Sequence, residues 1–226
     1  MVITIDGTSA SGKTTAAREL ARRLDFALLR TGAMYRALAL AAHRAGFDER
    51  AGARELSPLL DQWQIDADES HVYLNGQEIS REIDGDRMSC LSSAWAELPV
   101  VREHINKSIQ RRADQYRTAG RSFVAEGRDQ GSYVFPGAEC KFYIDAELAV
   151  RAFRRMKDLH HREDRSKTQE QLMQELDQRD QRDRQRALAP LCVPKGALVI
   201  DSTHLTKEAV VDQLFEAVQA YRGRAG

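Results

Sequence analysis

Cysteine, proline and aromatic residues are scarce in this chain of 226 residues, and neither sign of charge dominates. The three cysteines, Cys90, Cys140 and Cys192, are odd in number and about fifty residues apart. That spacing excludes a disulfide framework and a zinc site, and leaves buried, reduced thiols as the expectation. No stretch approaches the roughly 18 apolar residues that a membrane-spanning helix needs. Lys+Arg and Asp+Glu are both 34, so long-range attraction to nucleic acid or to an anionic membrane is not the design. The arginine-rich stretch 147–189 has interleaved acids and no aromatic residue after Phe153 to stack a base, which argues against RNA binding. The chain starts directly on an apolar strand pattern, so a soluble cytoplasmic protein without a leader is expected. With 42% hydrophobic and 30% charged residues, its length suits one α/β domain carrying insertions.

The densest signal is VITIDGTSASGKTTAARELARRL, residues 2–24, which sets a Gly7-x-x-x-x-Gly12-Lys13-Thr14 loop between an apolar strand and an Ala-rich helix. This is the P-loop pattern. Gly7 and Gly12 allow the loop to curl until its N–H groups face one anion, and the following helix aims its positive dipole end at the same place. Thr8, Ser9, Ala10 and Ser11 fill the loop and Thr15 follows it, so residues 7–15 are the candidate nucleotide contacts. Lys13 brings a full charge to the β- and γ-phosphates, and the Thr14 hydroxyl is a hard oxygen donor for Mg²⁺. A triphosphate nucleotide is implied. Val2, Ile3 and Ile5 read as a buried strand, and Ala17, Leu20, Ala21 and Leu24 as the buried stripe of a helix.

Phe26 to Leu29 is a second apolar run, stopping at Arg30-Thr31-Gly32 before AMYRALALAAHRAG, which predicts strand, turn and helix. Tyr35 and Arg36 fall in the first turn of that helix, at the end of a sheet where ligands sit. On this segment alone Arg36 reads equally as a solvated arginine and as a ligand contact. Residues 48–118 break the alternation. A charged helical piece from about Glu49 to Gln62 leads through Trp63-Gln64-Ile65 to VYLNGQEI, where Asn75-Gly76 signals a hairpin. A helical tract from Asp86 to about Gln115 carries Leu91, Trp95, Val101, Ile105 and Ile109 as its buried side, and Pro99 divides it in two. By residue type alone, Arg102, Arg111 and Arg112 on these helices read as surface charges.

Phe123 to Ala125 is again a short strand, ending in Glu126-Gly127-Arg128-Asp129-Gln130-Gly131. Acid, base and acid at a strand end are costly without partners, so the cluster is either a site or a salt-bridged turn. KFYID at 141–145 and ALVID at 197–201 complete five short strands, the pattern of a parallel sheet flanked by helices. Between them, arginines at 151, 154, 155, 162, 165, 179, 182, 184 and 186 alternate with Asp164, Glu170, Glu175, Asp177, Asp180 and Asp183. Two helices joined near His160 to Arg165 are expected. Their bland reading is a solvated, ion-paired surface. The alternative is that Arg179, Asp183 and Arg186 share one helical face and clamp phosphates beside a hydroxyl-bearing group. The final helix, Thr206 to Tyr221, places Val210, Val211, Leu214, Phe215 and Val218 at core spacing.

In that order and spacing, GTSASGKT, TGAMYRALAL, VRE at 101–103, EGRDQGSYVFPGA and RDQRDRQRALAPL resemble the bacterial cytidylate kinase family. The resemblance implies a nucleoside monophosphate kinase fold, with a parallel five-stranded sheet flanked by helices. One domain, 1–226, would comprise a core (1–47, 119–150 and 190–226), a monophosphate-binding insert at about 48–118 and a mobile lid at about 151–189. It implies transfer from ATP to CMP or dCMP with Mg²⁺, small-molecule partners only, and a monomer. Carried over by position, Thr31, Arg102 and Asp129 would meet the cytosine and Asp183 the ribose. Arg36, Arg128, Arg179 and Arg186 would surround the transferring phosphoryl group and the acceptor phosphate, with Lys13, Arg128, Arg179 and Arg186 catalytic. Thr14 would hold the metal.

The chain departs from the family pattern at several points. Arg30 stands where Asp is common, Thr8-Ser9-Ala10-Ser11 replaces Pro-Ser-Gly-Ser, Tyr133 replaces Val or Thr, and Gly137 a frequent Asp. None of these removes a phosphate ligand. Two competing readings remain on the residues: a P-loop kinase of another small acceptor such as uridylate, adenylate or shikimate, and a catalytically idle nucleotide-binding protein on the same scaffold.

Overall fold

The computed structural model describes residues 1–48, 50–161 and 166–225. Glu49, at the head of the expected charged helix, and Arg162, Asp164 and Arg165, at the expected joint of the later helices, lie outside the described residues. The first apolar run forms β1 (Val2–Gly7) and the Ala-rich segment α1 (Lys13–Leu24), which buries Ala17, Leu20, Ala21 and Leu24. β2 (Ala27–Arg30) passes into α2 (Thr31–Arg44) without the expected turn, Arg30 being both the last strand residue and the helix cap.

The first helix of this region starts later and ends earlier than the sequence suggests. Arg50 N–H donates to Asp48 in a tight turn and Gly52 N–H donates to Glu55, so α3 spans only Ala53–Leu60. Ile65 and Ala67 pair with Leu74 and Val72, making β3 (Ile65–Ala67) a strand that residue patterning alone does not reveal. β4 (Val72–Leu74) and β5 (Gln77–Glu78) form the expected hairpin, with Asn75 at φ 51 and Gly76 at φ 80 as its two left-handed turn residues. Pro99 separates α4 (Asp86–Trp95) from α5 (Pro99–Thr118), where it occupies the first helical position and its missing N–H is no loss.

β6 (Phe123–Glu126) runs into a π-helical turn, Gln130–Val134. Then come β7 (Cys140–Asp145), α6 (Leu148–His161), α7 (Gln169–Gln185), β8 (Leu198–Asp201) and α8 (Lys207–Ala225), the last extending beyond the Tyr221 expected as its end. The five long strands form one parallel sheet in the order β2-β6-β1-β7-β8. Alternation along the strands sends side chains to opposite faces. Ile3, Ile5, Leu28, Val124, Phe142 and Ile144 pack with α1 and α8. Ala27, Leu29, Phe123 and Ala125 pack on the other side, in a cluster that continues unbroken through α2 and α5 into the insert. A small third cluster, Ala152, Leu159, Leu172 and Leu176, joins α6 to α7, and Ala10 packs against it. The parallel strands bring Gly7, Arg30, Glu126 and Asp145 to one end of the sheet.

Three expectations change. Only Cys140 is buried; Cys90 on α4 and Cys192 in the Pro-flanked segment before β8 are exposed. Arg186 lies just past α7 with an extended backbone, so it reaches the site as a cap and not from the helix face. Arg102 is a core residue, 1% exposed, because Asp129 supplies the partner that burial of a guanidinium demands.

Candidate active site

The loop after β1 is shaped by backbone geometry that the sequence permits at few residue types. Gly7 has φ 151, and a Cβ there would fall 2.0 Å from the Ile144 carbonyl oxygen, so glycine is obligatory. Gly12, at φ 90, caps α1. Ala10 also takes a left-handed conformation, φ 59, at a cost of about 1 kcal/mol that its methyl contact with the α6–α7 cluster offsets. Thr8 Oγ1 donates to Asp145 at 2.6 Å and Ser11 Oγ to the Thr8 carbonyl at 3.0 Å, which braces the turn. The Ser9 N–H is turned onto Asp180 Oδ1 at 2.9 Å. Lys13 Nζ donates to the Thr8 carbonyl at 2.8 Å, and burial, with Arg128 nearby, pushes its ammonium down to about 7. Thr14 Oγ1 lies 3.1 Å from Glu126 Oε2, a pair of hard oxygens at the mouth of the loop.

A cavity of about 270 Å³ runs from this loop toward the insert. Ser9, Ala10, Lys13 and Thr14 line its loop end, and Thr31, Arg36, Arg102, Arg128, Asp129, Arg179, Asp183 and Arg186 line the rest. Gly12 and Thr15 instead line a second cavity, about 490 Å³, on the other side of the loop with Arg154, Lys157 and Lys207. Gly7, Thr8 and Ser11 line neither and act on the loop's shape.

At the far end, Arg102 bonds Asp129, donates to the Ala96 carbonyl at 3.2 Å, and stands 5.7 Å from the Tyr35 ring centroid. Thr31 Oγ1 donates to the Glu126 carbonyl at 2.9 Å. Behind them Asp6, fully buried, accepts the N–H groups of Gln130 at 2.8 Å and Gly131 at 2.7 Å and so fixes the Arg128-Asp129 turn. Arg128 bridges Asp183 and Ser9, each at 3.1 Å, while Arg179 bonds Ser89 of the insert. Arg186 sits 3.5 Å from both Asp129 and Asp183. Burial, then Arg128, pushes Arg179 down to about 10, and burial lowers Arg36 and Arg186. Burial works against the charge of Asp183, yet Arg128, Arg179 and Arg186 outweigh it and hold that carboxyl below its usual range. Crowded, partly desolvated guanidiniums of this kind are stabilised by an incoming anion.

Ser93 at this site escapes a residue-type reading, whereas Tyr35 is marked by its place in the first turn of α2. Ser93 Oγ and Tyr35 OH are buried without a partner on the cavity wall they share with Arg102 and Asp129. The signal for Ser93 is periodic: Ser89, Ser92, Ser93 and Ala96 form a small-residue stripe facing the cavity, next to the buried Met88, Leu91 and Trp95. Arg30, by contrast, is absent from the cavity wall and donates to the Ser70 carbonyl, at 3.0 Å, in the turn between β3 and β4.

A family model described as cytidylate kinase matches residues 3–220. This chain belongs to the cytidylate kinase family. It is 41% identical over 224 residues to the cytidylate kinase of Aeromonas salmonicida, covering 97% of this chain and 93% of that one. The cytidylate kinase of Vibrio cholerae is 40% identical over 222 residues (97% and 96%), and that of Thermotoga petrophila 36% over 217 residues (96% and 96%). Among solved structures, an uncharacterized protein from Eubacterium ventriosum shares the fold, with TM-score 0.51, 11% identity, and 97% and 98% of the two chains covered. The match to the cytidylate kinase family thus runs through residues 3–220, the hairpin-bearing region between α2 and β6 included.

Proposed function

We propose that this cytidylate kinase transfers the γ-phosphoryl group of ATP to CMP or dCMP, giving ADP and CDP or dCDP. The observation that carries the reading is one cavity with a P-loop lysine at one end and a buried guanidinium–carboxylate pair, Arg102 and Asp129, at the other. ATP places its phosphates on the loop and at Lys13. The acceptor base lies against Thr31, Arg102, Asp129 and Ser93, and its sugar hydroxyls meet Asp183. Arg36, Arg128, Arg179 and Arg186 surround the acceptor phosphate and the group in flight.

The chemistry asks for positioning and charge neutralisation more than for covalent work. The acceptor phosphate oxygen is already ionised, so no general base is needed. CMP and ATP repel each other as polyanions, and the fixed arginines offset that repulsion through charge-assisted hydrogen bonds. The insert and the α6–α7 lid bury the pair from water, which would otherwise compete as acceptor. Thr14 and Glu126 fit Mg²⁺, which takes few protein oxygens and keeps waters and phosphates for the rest; bound there, it would neutralise charge on the β- and γ-phosphates. We further propose that the protein acts as a monomer in the cytoplasm.

The test is ADP formation from ATP and Mg²⁺ with CMP, dCMP, UMP, AMP and shikimate offered singly. Turnover confined to CMP and dCMP is expected. Turnover with none, while ATP still binds, would leave a nucleotide-binding protein.

A further inference from the structure

Ser9 is bonded through its N–H, its carbonyl and its hydroxyl, each time to a distant part of the chain. The N–H donates to Asp180 Oδ1 at 2.9 Å, the carbonyl accepts from Arg151 Nη1 at 3.0 Å, and Oγ accepts from Arg128 Nη2 at 3.1 Å. Asp180 Oδ2 accepts from the same Arg151 nitrogen at 2.5 Å, and Arg151 Nε donates to the Ala146 carbonyl at 2.8 Å. The Ser9–Asp180–Arg151 contacts are dry: Asp180 is 0% exposed, Ser9 2% and Arg151 5%. A loop N–H held by a carboxylate is not offered to a phosphate. Its effect is to hold the peptide in place, and breaking a buried pair of this kind is costly.

The contacts close a ring. Asp180 and Asp183 lie one turn apart on α7, and Asp183 Oδ2 accepts from Arg128 Nε at 3.1 Å. From Ser9 the path runs through Asp180, along α7 to Asp183, across to Arg128 and back to Ser9. We infer that Arg151 and Asp180 are positioning residues that lock the Ser9 peptide and, through this ring, couple filling of the triphosphate loop to the acceptor arginines. The inference rests on the phosphotransfer reading, since it needs a nucleotide at each end of the cavity. Two ligands that favour the same arrangement of the ring strengthen each other by one common factor.

The test is calorimetric titration of the full chain with CMP, alone and with a saturating non-hydrolysable ATP analogue. In the wild type the analogue should tighten CMP binding at least about fivefold. Asp180→Asn keeps an acceptor for the Ser9 N–H but removes the charge facing Arg151. It should bring that ratio close to one and lower kcat about tenfold, with smaller changes in either KM. Arg151→Lys, which keeps the charge, should retain part of the ratio. Ser9→Ala removes the link to Arg128, leaves the buried pair intact, and should also lose the ratio. A purely structural role would lower the unfolding midpoint of Asp180→Asn and leave the ratio untouched. A wild-type ratio of one, or variants that keep the wild-type ratio, overturns the inference even if CMP turnover is normal. Should Asp180→Asn fail to fold, Ser9→Ala decides alone. Failure of the phosphotransfer reading shows separately, as no CMP turnover in the wild type.

Discussion

Asp129 accepts from Arg102 and, at 2.9 Å, from Gln130 Nε2, so its carboxylate enters the cavity in a fixed orientation. Such an acceptor suits the exocyclic amine of cytosine and leaves the carbonyl of uracil facing like polarity. Asp129→Asn offers an amide N–H in its place and should lower the ratio of kcat/KM for CMP over UMP at least about tenfold; an unchanged ratio would remove Asp129 from base reading. Two other buried groups give the ligand-free protein an unusual pH dependence. Burial pushes the Asp6 carboxyl up from 3.8 to about 7, against the hydrogen bonds from Gly131 and Gln130. Between those values the folded state holds a proton that the unfolded state has released, so this stabilisation is lost as pH rises to 7. Lys13 runs the other way. Its ammonium falls from 10.5 to about 7, so the folded state lacks a proton that the unfolded state keeps, and stability returns above pH 7. Each slope is at most about 1.4 kcal/mol per pH unit. Denaturant titrations at about pH 5, 7 and 9 should show the wild type losing stability relative to Asp6→Asn over the first interval. Parallel curves would mean that Asp6 is ionised throughout.

At the scale of elements, Arg30 fastens the hairpin of the insert to the end of β2. Arg30→Asp removes that link without entering the cavity. A stability loss of about 1 kcal/mol with kcat/KM for CMP held within about twofold is the expected outcome of unfolding and steady-state measurements. A larger kinetic effect would place the charge in the acceptor field. Elements whose signals are local were legible in the sequence: the strand–loop–helix around Lys13, the Asn75-Gly76 turn, the helix break at Pro99 and the five short strands. β3 was not, because three residues become a strand only when Val72–Leu74 lies alongside. Position of α7 relative to the loop was equally hidden. Asp180 meets Ser9 across 171 residues, and Arg151 meets it across 142, whereas on the sequence both look like ordinary charges of a solvated helix.

The whole molecule is held by clusters of unequal size. The one behind α2 and α5 unites core and insert, while the α6–α7 cluster rests on Ala152, Leu159, Leu172 and Leu176. Hydrogen exchange should therefore be fastest in the first half of α7 and slower toward Asp180, where the ion pair with Arg151 anchors it, and slowest in β1 and β6. Uniform exchange along α7 would mean that the anchor does not divide it. The sheet order has a further consequence, for the chain as it is made. β1 leaves the ribosome before the other four strands of its sheet and is the central one, yet Val2 pairs with Phe123 and Ile3 with Cys140. At about 5–20 residues per second, the segment carrying Ile3 and Ile5 waits on the order of 6–25 s before its first partner is synthesised. During that interval an apolar strand with both edges open travels on every nascent copy, and the closest spacing between such copies is that of neighbouring ribosomes on one message.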